Sequence, residues 1–328
     1  MNMDVYASAR AMSGKLKLKA KARLADGRAS EVFEACVLLH EAAREERRAV
    51  RLVDAPQVTR FAALVEACFC LVEGLDPHTA GEIYSMLYQE RAGMDSEMVS
   101  ALLSRLTPRY EALQRKYADA VGELVVLKGN LPLVPTSEGQ IRKARAEAKR
   151  MTSSFPGVAG WWWVTYRLED ASDQAALAWE ALSSARRLEP DNMRFEAISL
   201  LAATKALDHD AADEYVAGVR GRLDANAPEL CLMYALAELR LARNTPTTDR
   251  DERWRGAQVA VRAGLAGEPA PKLLKNLRAT DLLLESYIRH ERPSVELLYL
   301  AGLHELAIRA GADEDVGELL TREVAAAA

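Results

Sequence analysis

The sequence is poor in aromatic residues. They fill 6% of its 328 positions, and glycine (18) and proline (12) are sparse as well. Sandwiches and barrels need aromatic and β-branched strands joined by frequent Gly and Pro turns, so strand-rich architectures are disfavoured. Four cysteines cannot staple a chain of this length. That excludes a disulfide scaffold and points to a reducing, cytoplasmic setting. No apolar run approaches the ~20 residues of a membrane-spanning helix, and no apolar segment suggests a secretory signal. The net charge is −5, which argues against wholesale coating of nucleic acid. What is present is 49% hydrophobic and 28% charged residues, rich in Ala, Leu, Glu and Arg. This is the composition of a globular, all-α protein.

Charge divides the chain. Residues 1–28 carry Arg10, Lys15, Lys17, Lys19, Lys21, Arg23 and Arg28 against Asp4 and Asp26, a surplus of five positive charges. Lys15 to Leu24 alternates basic and apolar residues at a strand period. It lacks β-branched residues, so a helical or unstructured arm fits equally. From Ser30, a plausible N-cap, the period becomes helical: Val32, Phe33, Cys36, Leu39 and Ala43 share a stripe. Further helices are expected over 56–73 and 79–89, with one long helix or two over 96–127, Pro108 marking a new start. The segment KGNLPLVPTSEGQ at 128–140 has no period and two prolines, so it reads as a linker. A short basic helix follows at 141–151, where Arg142, Lys143, Arg145, Lys149 and Arg150 outnumber Glu147. Beyond residue 311 the tail is acidic. The expected organisation is an arm at 1–28, helical hairpins over 29–128, a linker with a basic helix over 129–158, and a repeat region over 159–328.

The repeat region shows self-similarity. Trp161, Val164, Thr165 and Leu168 begin one helix. Phe195, Ile198, Ser199 and Ala202 begin another 34 residues later. Partner helices carry Ala178, Leu182, Ala185 and Pro190, then Ala211, Tyr215 and Gly218, then Ala257, Val261, Gly264 and Pro269. An extra stretch, 244–251, separates the third pair, and Leu64, Ala67, Cys68, Leu71, Ala80, Tyr84 and Leu87 repeat the spacing weakly. This pattern resembles the tetratricopeptide repeat, most closely at ALAWEALSSARRLEPDN over 176–192. The resemblance implies a right-handed α-solenoid of antiparallel hairpins, because one hairpin cannot bury its own apolar face.

In that family the first helix of each pair lines a concave groove. Transferring the register implies a groove of Trp162, Tyr166, Glu169, Glu196, Leu200, Leu232 and Leu236. Such a surface suits an apolar peptide or an amphipathic helix. Trp161, Trp162 and Trp163 span about 200° of a helix, so all three cannot face one core stripe. Trp is enriched at binding hot spots, yet it is usually buried.

Chemistry is hard to find. His40-Glu41 and His304-Glu305 begin like a zinc-protease motif, but no second His follows at the required place. Phosphate-binding Gly-rich loops and nucleophile elbows are missing. Cys36, His40, Cys68 and Cys70 cluster in sequence, but Cys68 and Cys70 point about 200° apart on a helix, so all four cannot converge on a metal. The sequence therefore predicts a non-catalytic interaction scaffold, adaptor or regulatory subunit without cofactor or metal. Its partner is a protein segment, with no membrane role. Basic contacts through Lys15, Lys17, Lys19, Lys21, Arg142, Lys143 and Arg145 would meet an acidic partner, or carboxylates of the chain itself. The arm's basic residues are not interleaved with aromatics, which disfavours single-stranded nucleic acid. The arm folding back into the groove, a nucleic-acid-associated regulator, and an all-α enzyme with an unrecognised site are the alternatives.

Overall fold

The computed structural model describes residues 2–51, 56–127 and 138–291, with 293, 294 and 297. Among them are fourteen α-helices and no strand, as the composition implies. The chain divides into two compact units, 1–190 and 191–328.

The first unit begins with α1 (Asn2–Asp26) and α2 (Ala29–Arg51). The basic arm is thus a helix and not a strand. Ala9, Ser13, Leu16 and Ala20 form its buried stripe at helical spacing. Leu16 and Ala20 share a core with Ala35, Leu39, Ala42 and Ala43 of α2, where small residues let the two helices close up. Gly27, at φ 74°, makes the turn between them in a backbone region that glycine adopts without penalty. Ser30 lies inside α2 and is not its cap.

Next come α3 (Gln57–Glu73), α4 (Pro77–Glu90), α5 (Ser96–Leu103) and α6 (Leu106–Gly122). Asp76 caps α4 by accepting from the N–H groups of His78 and Thr79. Asp95 caps α5 by accepting from Glu97 and Met98. The 96–127 stretch is two helices, and Pro108 falls in the first turn of the second, where its missing N–H costs nothing.

Then α7 (Glu138–Ser154), α8 (Ala159–Asp170) and α9 (Ala175–Leu188) complete the unit. The basic helix is longer than the 141–151 span expected; residues 128–137 of the linker lie outside the described residues. Glu147 of α7 accepts from three successive N–H groups, Val125, Val126 and Leu127, at 2.8–3.2 Å. Burial opposes its charge, but those donors hold its carboxyl below the usual range. The α7–α8 turn meets the α3–α4 turn so closely that a Cβ on Gly157 would sit 1.9 Å from the Gly74 carbonyl oxygen. Because α8 and α9 belong with α1–α7, the compact division falls at Pro190, away from the expected start of the repeats at 159.

The second unit holds α10 (Met193–Ala206), α11 (His209–Ala217), α12 (Pro228–Leu241), α13 (Thr247–Leu265) and α14 (Pro271–Ile288). Asn192 and Asp208 cap α10 and α11 with side-chain oxygens. Pro228 and Pro271 open α12 and α14 at the first position, which suits their fixed φ. Most of the extra stretch at 244–251 is helical and lengthens α13 at its start. Around the centre stands α12, in contact with α10, α11, α13 and α14.

The expected small-residue stripes hold in α9, with Ala178, Leu182 and Ala185 buried, and in α13, with Ala257, Val261 and Gly264 buried. In α11 the buried stripe is Ala212 and Val216, followed by Val219, one residue on from the expected Ala211, Tyr215 and Gly218. The repeat's expected fourth partner, 297–310, and the acidic tail lie outside the described residues apart from 297.

Candidate partner-binding surfaces

The groove register places its residues in the interior. Leu200 is buried among Ala197, Ala212, Val216 and Tyr234, and Leu232 and Leu236 among Val261, Leu277 and Leu283. Tyr166, Glu169 and Glu196 are buried as well. Of the predicted groove residues, Trp162 alone is partly open. This is a correction to the expected open groove, and its cause is local. Apolar residues run all round α12, so every face of that helix needs a neighbour. The buried acids have internal partners. Arg145 holds Glu169 through two bonds of 2.9 and 2.6 Å, and Arg222 donates to Glu196 at 2.7 Å. Two residues expected to meet outside partners, Arg145 and Glu169, thus meet each other.

The three tryptophans do diverge. Trp161 is buried and donates to the Tyr117 hydroxyl at 3.2 Å, which lies 2.7 Å from His78 Nε2. Trp162 donates to the Pro156 carbonyl at 2.8 Å and meets Phe33 edge-on, with ring centroids 5.2 Å apart. Trp163 packs against Tyr166 at 5.1 Å.

The basic residues split into two sets. Arg10 and Lys17 reach Glu46 and Glu66, Arg23 pairs with Glu31, and Arg150 with Glu123. Lys15, Lys19 and Lys21 on α1, and Arg142 and Lys143 on α7, stay exposed and form no ion pair among the described residues. The arm therefore packs on α2 as part of the first unit, and does not occupy the second unit's core.

Three polar clusters are built inside the units. Glu46 is wholly buried, accepting from Arg10 at 2.6 Å and Ser13 at 2.8 Å. Glu238, 1% exposed, accepts from Tyr234 at 2.7 Å and Arg253 at 2.8 Å; Arg253 also donates to Asp213 at 2.5 Å. Burial, reinforced by Glu238, pushes the Tyr234 phenol up to about 12. The hydrogen bond from Arg253 holds the Asp213 carboxyl below its usual range. This network ties α13 to α11 and α12 beside a cleft of about 650 Å³. In the first unit His40 is buried with Nε2 3.6 Å from Asp76 Oδ2 and without a hydrogen bond. Burial pushes its imidazole below the usual range; Asp76 opposes that shift and Arg44 adds to it.

Cys36, Cys68 and Cys70 are buried, and burial pushes each thiol up to about 12. Such thiols are poor nucleophiles. No group of three or more His, Cys, Asp or Glu is placed to hold a metal among the described residues.

The uncovered surface lies elsewhere, along α4, α5 and α6. No residue of α5 is buried. Tyr84 and Tyr110 stack with centroids 4.1 Å apart, and the exposed Tyr88 carries the Arg91 guanidinium 4.0 Å over its ring. Beside them, Met94, Val99, Leu103 and Thr107 line an open cleft of about 660 Å³, and Met98 is exposed. Nothing in the groove register selects these residues. Their signal was the four-residue spacing of Tyr84 and Tyr88, which puts both rings on one helix face. No helix among the described residues is long and apolar enough to cross a membrane. Compared with known proteins, the chain matches no family model, and no curated protein or solved structure matches it.

Proposed function

We propose that this chain is a non-catalytic interaction scaffold that holds a peptide or helical segment of a partner protein. The tetratricopeptide-like reading of 159–328 belongs to this proposal and is supported by the hairpins α8–α9, α10–α11 and α12–α13. The contact surface it favours is the α4–α5–α6 edge. The observation that carries it is α5, an amphipathic helix with Met98, Val99, Leu102 and Leu103 but no buried residue. A helix left this open gains most from a partner that covers its apolar side. The neighbouring tyrosines and Arg91 are of the types that dominate binding energy at interfaces.

The test is affinity capture from the cells that make the protein, comparing the native chain with Tyr88→Ser/Met98→Ser. Both positions are exposed, so the variant should melt within a few degrees of the native chain. The captured protein should be lost from the variant. Unchanged capture by a folded variant would defeat this placement.

A further inference from the structure

The outer face of α1 has a composition that its own packing does not require. The helix buries Ala9, Ser13, Leu16 and Ala20. At 100° per residue, the opposite side carries Ala7, Ala11, Leu18, Ala22 and Ala25, all exposed, and Leu18 keeps 71% of its surface. Lys15 and Lys19 run along one edge of this strip and Lys21 along the other. These three lysines form no ion pair among the described residues, whereas Arg10, Lys17 and Arg23 on the same helix do. Gly14 borders the strip, and a Cβ added there would meet nothing within 4 Å. Glycine weakens a helix interior relative to alanine, and no close approach within the chain calls for it.

We propose that this face docks an acidic amphipathic helix of a partner protein. The alanines and Gly14 let a second backbone come near, and Leu18 is a single knob for the opposing surface. The flanking lysines specify glutamates on both edges of the occupant, as charges beside an apolar seam do in helix pairing. Ala7 to Ala25 spans about 27 Å, long enough for five turns of a partner helix. A bilayer surface fits less well: Leu18 and Met12 are the large apolar side chains on offer, too few to anchor an interfacial helix. Nucleic-acid phosphates would satisfy the lysines but leave Leu18 and the alanine strip uncovered. This surface is separate from the α4–α6 edge and adds a second partner chemistry to the scaffold.

The test uses the full chain and four probes in fluorescence anisotropy. They are a synthetic helix with a Leu/Ala strip flanked by Glu, the same peptide with Lys for Glu, a DNA duplex, and phosphatidylserine vesicles. The Glu-flanked peptide should bind and the Lys-flanked one should not. Its affinity should fall about tenfold as salt rises from roughly 0.05 to 0.5 M. Leu18→Asp, and separately Lys15→Glu/Lys19→Glu/Lys21→Glu, should each weaken it by about tenfold or more at unchanged circular dichroism. Tyr88→Ser/Met98→Ser should leave it unchanged, which separates this surface from the α4–α6 edge. Failure of the Glu-flanked peptide to bind, equal binding of both peptides, or binding that Leu18→Asp does not affect would overturn the proposal. So would DNA or vesicles binding as tightly as the Glu-flanked peptide.

Discussion

Helices α12 and α5 are both rich in apolar residues, yet ten residues of α12 are buried and none of α5. The reason is the number of neighbours. Four helices surround α12, while α5 lies against α3 and α6. The chain's apolar content therefore does two different jobs. In α12 it builds a core, and even the charged Glu238 is drawn inside because Tyr234 and Arg253 complete its hydrogen bonds. In α5 it leaves a surface that is only half covered.

The largest effect that tests this contrast should come from Glu238→Ala. It strands the Arg253 guanidinium and the Tyr234 hydroxyl in the interior, and should cost about 3–5 kcal/mol in denaturant unfolding. A loss below about 1 kcal/mol would mean that the α12 network does not hold the unit together. Trp162→Ala removes a half-buried ring and its bond to Pro156, so it should cost about 2 kcal/mol. An unchanged melting temperature would return Trp162 to the partner-facing surface.

His40 gives a smaller effect that depends on pH. Its folded imidazole is held below its ordinary range, so the unfolded chain binds more protons below about pH 6.5. Its contribution is fully present above that value and fades as pH falls, by at most about 1.4 kcal/mol per pH unit. His40→Gln should flatten the decline in stability between about pH 7 and pH 5. Parallel curves for the two proteins would show that His40 titrates as freely as in the unfolded chain. At the small end, Met98→Ser on α5 should change stability by no more than about 0.5 kcal/mol. A loss several times larger would make α5 part of the core and erase the contrast with α12.

Much of the fold was legible residue by residue. The stripes of α2, α3, α9 and α13, the breaks near Gly74 and Pro108, and the loops around Glu189–Asn192 and Glu268–Pro271 all follow from periodicity and turn residues. The groove was not legible. Its register assumed that one face of each first helix stays open, but the residues of α10 and α12 next to the predicted core positions are themselves apolar or small. Leu200, Leu232 and Leu236 carry no mark that separates a core side chain from a groove side chain. The ion pairs were half legible. A surplus of basic residues on 142–150 was plain, but nothing local said that Arg145 would turn inward to Glu169 while Arg142 and Lys143 stayed outside.

By itself the sequence determined that the chain is helical and where most of its helices begin and end. These are consequences of spacing, caps and breakers acting within a few residues. Tertiary structure alone decided which apolar faces are covered, which charges are matched, and that the arm is a packed helix with a lysine-edged outer face. Those outcomes depend on which helices become neighbours, and neighbours are set by contacts between residues far apart in the chain.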